Sequence, residues 1–214
     1  VRGFDMTRKG RFHDEILALT KKLVSIPSVS PSSGELDIAD FIYKIIQDIP
    51  YFQKHPEQVF MRPLRQDALR RKNVFALLRG TEGSDDTIIC HGHMDTVNID
   101  DFGPLKAHAF VCDDLPALLS ASDIPDDVRR DLESGDWLFG RGSCDMKSGD
   151  AVFLVLMNYL AAHRELIRGN IFFMFNCDEE CENTGMVDSV PVIEEIKDRF
   201  HIRPVLAIND DYVG

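Results

Sequence analysis

Two neighbouring stretches decide the fold: Asp150-Ala151-Val152-Phe153-Leu154-Val155-Leu156-Met157-Asn158-Tyr159-Leu160-Ala161-Ala162-His163 and, shortly after, Asn170-Ile171-Phe172-Phe173-Met174-Phe175-Asn176. The first reads as a helix that is apolar nearly all round, which predicts burial. The second reads as a buried strand. Working outward, Pro191 to Phe200 reads as a helix and Val205 to Ile208 as a strand, ending in Asn209-Asp210-Asp211. Toward the start, Ile16, Leu17, Leu19, Leu23 and Val24 form a helical stripe within Phe12 to Val24. Ile26 to Gly34 breaks it with prolines and serines. Ser33 is expected to cap a second helix from Glu35 to Gln47, with Ile38, Phe41, Ile42, Ile45 and Ile46 facing the core. Gln58 to Arg62, Val74 to Leu78 and Thr87 to Cys90 read as strands. This alternation predicts an α/β fold with a mostly parallel sheet. Asn98 to Trp137, rich in Asp and Pro, reads as a long functional loop with short helices around Ala117 to Leu119 and Asp126 to Leu132.

Three acidic patches follow short apolar runs: His91-Gly92-His93-Met94-Asp95, Gly140-Arg141-Gly142-Ser143-Cys144-Asp145, and Asp178-Glu179-Glu180. In open α/β sheets, ligands bind outside the carboxyl ends of the strands. His93, Glu179, Glu180 and Asp210 lie just past expected strand ends, and Asp145 precedes the buried helix. Nitrogen and oxygen donors that converge there suit a divalent metal pair and hydrolysis by metal-activated water. In an extended chain His93 and Asp95 project to one side. His93 is a candidate ligand, and Asp95 either ligates or holds the ring in one tautomer. Asp145 lies among Gly140, Gly142 and Gly149, and its two oxygens suit it to bridging two cations. A Gly-x-Gly turn also fits an anion loop or a capping Asp. Glu179 and Glu180 are adjacent and face apart, so one as ligand and one as general base is the natural division. Taken singly, each patch has a bland reading that outweighs the functional one: a common His-x-Asp, a helix-capping Asp in a Gly-rich turn, and a solvated acidic turn at Glu179-Glu180. Cys177 and Cys181, with Cys90 or Cys144, form a rival zinc set, but their spacing fits no knuckle pattern. Small buried hydrophobes is the preferred reading of these thiols. Ser143 lacks the Gly-x-Ser-x-Gly elbow of a serine nucleophile.

The length of 214 residues allows one substantial core, or one domain and part of another. A net charge of -12 excludes nucleic acid as a non-specific partner, because no basic excess offsets phosphate repulsion. The apolar run Ala151 to Leu156 is far too short to span a bilayer, so no membrane role is expected. Five cysteines without framework spacing fit a reducing compartment, and the expected location is cytoplasmic. No signal peptide is visible, and a start at Val1 reads as a processed or partial chain.

In order and spacing, these patches resemble the M20 family of zinc-dependent peptidases and amidohydrolases. The matching stretches are His91 to Val97, Gly140 to Gly149, Asp178 to Glu180, and the opening Leu23-Val24-Ser25-Ile26-Pro27-Ser28-Val29-Ser30. The resemblance implies a three-layer sandwich of the di-zinc exopeptidase kind, with the mostly parallel sheet flanked by helices. It implies two zinc ions, with cobalt or manganese as substitutes. His93 would hold the first zinc, Asp95 would orient His93, and Asp145 would bridge both metals. Glu179 would be the general base and Glu180 a ligand of the second zinc. Asp210 takes the place of the next acidic ligand, with Asp211 its rival. A cis peptide is implied at Asp145-Met146. The longer stretch between Asp95 and Asp145, with Asp101-Phe102-Gly103-Pro104 and Asp131-Leu132-Glu133-Ser134-Gly135, resembles the arginine-utilisation subgroup. The family's final His ligand and its lid domain, which commonly mediates dimerisation, have no counterpart in residues 1–214. The chain is therefore expected to be the N-terminal part of a catalytic domain.

These features predict hydrolysis of an amide or peptide bond in an N-acyl amino acid or short peptide, linked to arginine breakdown. A non-catalytic metal- or ligand-binding module of the same fold is the alternative. A di-metal phosphohydrolase is weaker, since only Arg141 and Lys147 stand near the patches to hold phosphate.

Overall fold

The computed structural model describes residues 9–212. Five strands form one sheet: β1 (Val59–Pro63), β2 (Lys72–Arg79), β3 (Asp86–His93), β4 (Asn170–Asn176) and β5 (Arg203–Asn209), in the order β1-β2-β4-β3-β5. Neighbouring pairs split evenly. β2 is antiparallel to β1 and β4, whereas β3 is parallel to β4 and β5. Four strands thus share one direction and only β2 runs against them. The reason is connection length: residues 64–71 between β1 and β2 are too few for the dozen or more that a parallel crossover needs.

Helices cover both faces. Along β2, Val74, Ala76 and Leu78 face one core while Phe75 and Leu77 face the other, the two-residue period of a strand. The first core is closed by α1 (Lys9–Val24), α2 (Gly34–Gln47), the short α3 (Pro50–Lys54) and α6 (Lys147–Ala162). The second is closed by α7 (Thr184–Phe200), whose Val192, Ile196 and Phe200 meet Phe75, Phe172 and Met174. The rings of Phe75 and Phe172 stack at 5.7 Å. Every residue of β4 is buried, as expected of a central strand covered on both faces.

Several local expectations change. Ser33 makes no capping bond and already has helical backbone angles. Ser32 takes the duty instead: its hydroxyl accepts from Gly34 N–H (3.2 Å) and its own N–H donates to Glu35 Oε2 (3.2 Å). α6 is not buried all round: Leu156 is 38% exposed, while Ala151, Phe153, Leu154 and Met157 face the core. α7 begins at Thr184 rather than Pro191, and Pro191 lies inside it on an exposed face. Residues 98–137 are largely ordered into a 3-10 run (Asp100–His108), α4 (Leu115–Ser120) and α5 (Asp126–Ser134). Arg141 N–H donates to the Ala109 carbonyl (2.7 Å), and Lys21 to Asp113 (2.5 Å), tying the segment to the body.

β5 is the open flank. Val205 is 55%, Leu206 53% and Ile208 40% exposed, so both of its faces are bare. Among the described residues, no helix is long and apolar enough to cross a membrane.

Candidate metal centre

The site forms where β3, β4 and β5 end side by side. His93 is the last residue of β3, paired with Asn176 at the end of β4. Its ring is 3% exposed. Nδ1 lies 3.1 Å from the Asp95 backbone carbonyl. A carbonyl only accepts, so Nδ1 carries a proton; Nε2, at hydrogen-bond distance from the Asp145 carboxylate, carries one too, and a cation would take the place of that second proton. Nε2 faces carboxylates: Asp145 Oδ1 at 2.9 Å, Asp211 Oδ1 at 3.8 Å and Glu179 Oε2 at 3.9 Å. Burial alone would lower the imidazolium pKa. The carboxylates of Asp95 and, more weakly, Glu179 overcome burial and raise it to about 10.

Asp145 is placed by a turn in which Gly142 has φ +77 and a Cβ would meet Thr96 Cγ2 at 2.7 Å, so only glycine fits. The Asp145-Met146 peptide is cis. Met146 Sδ then accepts the His93 N–H at 3.2 Å, locking the start of α6 under the end of β3.

Asp95 is fully buried and accepts the backbone N–H groups of Glu179 (3.1 Å) and Glu180 (3.0 Å). Its carboxylate stands 3.6 Å from His93 Nδ1, beyond hydrogen-bond length. The backbone carbonyl of Asp95 therefore orients His93, and its side chain holds the pair of glutamates. Burial pushes the Glu179 carboxyl above the usual range, and the nearby charges of Asp95, Asp211 and Asp145 add to this against His93. Glu180 is raised by burial and then by Asp145.

His93, Asp145 and Asp211 place one ligand atom each within 4.8 Å of one another. Ligands about 2.1 Å from a tetrahedral ion stand roughly 3.4 Å apart. The Nε2 distances to Asp145 and Asp211, 2.9 and 3.8 Å, bracket that spacing. The donors are one imidazole nitrogen and carboxylate oxygens, a set that suits zinc and its first-row neighbours. The residues fit a divalent cation.

The structure brings together His93, Asp145 and Glu179, with Glu180 adjoining. It brings Asp211, not Asp210, into the group. Asp210 instead has its backbone carbonyl against α6, where a Cβ on Gly149 would meet it at 2.7 Å. Asn209 and Asp211, two apart, line the same cavity of about 170 Å³ beside His91 and His93. The complete burial of two ionisable side chains escaped sequence reasoning. Lys147 donates to the Leu23 and Ile26 carbonyls (3.1 and 2.7 Å), and burial pushes its ammonium down to about 7. Asp150 is wholly buried, and neither carboxylate oxygen has a partner. Burial raises its pKa well above the usual range. The free thiols stay out of the centre: Cys90, Cys112 and Cys177 are buried, Cys144 and Cys181 exposed.

A mixed sheet covered by helices on both faces, with a His-Asp-Asp group at its carboxyl edge, defines an α/β protein of metallopeptidase architecture. The model of peptidase family M20/M25/M40 matches residues 89–211, and the chain belongs to that family. It is 42% identical over 200 residues to Protein RocB of Bacillus subtilis, covering 94% of this chain and 35% of RocB. It is 34% identical over 130 residues to a succinyl-diaminopimelate desuccinylase of Burkholderia cenocepacia, covering 59% of this chain and 29% of that enzyme. The M20 family metallo-carboxypeptidase Sso-CP2 from Sulfolobus solfataricus shares the fold, with a TM-score of 0.56 at 16% identity over 92% of this chain and 37% of that one. The chain spans about a third of the length of the curated relatives it matches.

Proposed function

We propose that this chain supplies the greater part of a two-zinc amidohydrolase centre acting on N-acyl amino acids or short peptides. The observation that carries the reading is the convergence of His93 Nε2, Asp145 and Asp211, with the Glu179 carboxylate 3.9 Å from the same nitrogen. His93 and Asp211 would hold the first ion and Glu180 the second, with Asp145 available to both. Cobalt or manganese would accept the same donors.

Zinc, when bound, lowers the pKa of water and polarises a carbonyl. The chain's own residues do the rest. Glu179 accepts the proton of the attacking water and delivers it to the leaving amine; its raised pKa suits both transfers. The buried Asp95 fixes the reach of Glu179 through its backbone N–H. The Asp95 carbonyl holds Nδ1–H, which keeps Nε2 free to ligate.

Similarity to a desuccinylase supports an N-acyl substrate, and the resemblance of Asp101-Phe102-Gly103-Pro104 and Asp131-Leu132-Glu133-Ser134-Gly135 to the arginine-utilisation subgroup supports a place in arginine breakdown. Free thiols throughout agree with a cytoplasmic setting. A lid domain in the remaining polypeptide would complete the pocket and a dimer.

The test is Glu179→Gln in the full-length protein, with metal analysis and a panel of N-acyl amino acids. Bound zinc should stay at two ions per chain while hydrolysis falls by about 10²- to 10⁴-fold. Turnover near the parent's would remove Glu179 from the role of base. A stable protein that binds no metal would leave only a non-catalytic module.

A further inference from the structure

A second cluster of buried charge lies behind the metal centre and belongs to none of the ligands. Four consecutive backbone N–H groups after β4 are each taken by a side chain. Cys177 N–H donates to Asn73 Oδ1 (3.0 Å) and Asp178 N–H to Glu35 Oε1 (2.8 Å); those of Glu179 and Glu180 go to Asp95. Asp178 has φ 62, a left-handed backbone that a non-glycine residue holds only when its surroundings fix it. Its carboxylate accepts from the Thr184 hydroxyl and from Arg71 Nη1 (2.6 Å). Arg71 Nη1 also donates to Glu35 Oε2 (3.1 Å). The other side of the guanidinium is gripped by Asp67, through Nε and Nη2 at 3.1 Å each.

Glu35 and Asp178 are completely buried, Arg71 is 7% exposed, and one guanidinium answers three carboxylates. Two buried carboxylates at this spacing repel unless a cation stands between them. A planar fork with five donors can bond all three carboxylates at once, which an ammonium's compact charge does less well. Hydrogen bonds from Thr184 and Arg71 hold the Asp178 carboxyl below the usual range in spite of its burial.

We infer that Arg71, wedged between Glu35 and Asp178, is a positioning residue that sets the Glu179-Glu180 dipeptide against the metal ligands. The inference rests on the proposed role of Glu179. Arg71 touches no ligand of the centre. It acts through Asp178, whose peptide leads directly into Glu179, so losing it lets the buried carboxylates part and the base retreat. A displacement of about 1 Å at a reacting group can cost around 100-fold in rate.

The experiment compares Arg71→Lys with the parent, both full length and zinc-loaded. It reads metal content, kcat and KM on the N-acyl amino acid panel, and amide exchange of residues 177–184. At saturating zinc, the expected result is retention of the ion assigned to His93, weaker binding of the ion assigned to Glu180, KM within about threefold, kcat lower by about 100-fold, and exchange of residues 177–180 faster by at least about tenfold with β2 unchanged. Asp178→Asn suits the same backbone, removes the charge that Arg71 answers, and should lower kcat in the same direction. It replaces Arg71→Lys if that variant does not fold. Parent-like kcat and exchange in a folded variant, or a change confined to KM, would overturn the inference. A parent that hydrolyses nothing on the panel defeats the proposed function instead, and the exchange rates still decide the clamp.

Discussion

At the scale of single residues, the buried carboxyl of Asp150 is the most exposed to test. A Cβ on Gly92 would come within 2.7 Å of its Oδ1, so it sits pressed beneath the strand that carries His93. Neither oxygen has a partner, and burial raises its pKa. The folded state therefore keeps a proton there that the unfolded chain releases above about pH 4. Stability contributed by this group is full below that pH and falls as pH rises toward the folded pKa. Asp150→Asn cannot ionise, so the melting temperature of the variant minus that of the parent should grow between pH 5 and pH 8. A constant difference would mean that Asp150 is ionised in the native state. Residues such as His93, Asp145 and Glu179 were legible because each sits in a short motif beside an apolar run. Asp150 was not: a lone acid among Ala151, Leu154 and Met157 reads as a solvated turn of a helix until the packing shows its face. The choice between Asp210 and Asp211 turned on where β5 ends, a boundary set by pairing with β3 rather than by local sequence.

At the scale of elements, α7 matters most to the site, because its first turn backs the loop that carries the glutamates. Gly185 lies so close to the Cys177 carbonyl that a Cβ would stand 1.9 Å from it. Asn73 and Asn176 both donate to the Gly185 carbonyl, at 2.7 and 3.3 Å, and fasten the turn to the ends of β2 and β4. Gly185→Ala must push α7 or residues 177–180 aside. A loss of about 1–3 kcal/mol in urea unfolding is expected, the usual cost of overpacking. Unchanged stability would mean that the turn moves freely. The start of α7 was hidden because Pro191 reads as a first helical residue. On the exposed face its ring meets solvent, while Ser189, Val192 and Ile196 keep the helix seated. The strands were plainer: a run such as Ile171 to Phe175 has few alternatives. Their order was not, since nothing local tells β4 to insert between β2 and β3.

At the scale of the whole molecule, the sheet has unequal flanks. β1 is short and partly covered, whereas β5 presents Val205, Leu206 and Ile208 with an unpaired edge. Such an edge is a template for another strand. What opposes pairing is the net charge of -12, which makes copies of the chain repel one another in dilute buffer. Salt weakens that repulsion over distances beyond about 10 Å at 0.1 M, and it leaves apolar contact intact. Residues 1–214 alone should therefore behave as a colloid held apart by charge. Light scattering should rise with added sodium chloride and with concentration. Ile208→Lys should suppress the rise, whereas scattering that falls with salt would show that charge pairing drives any association. Buffer composition would then govern how this polypeptide is concentrated and stored, through the same edge strand that delivers Asp211 to the metal centre.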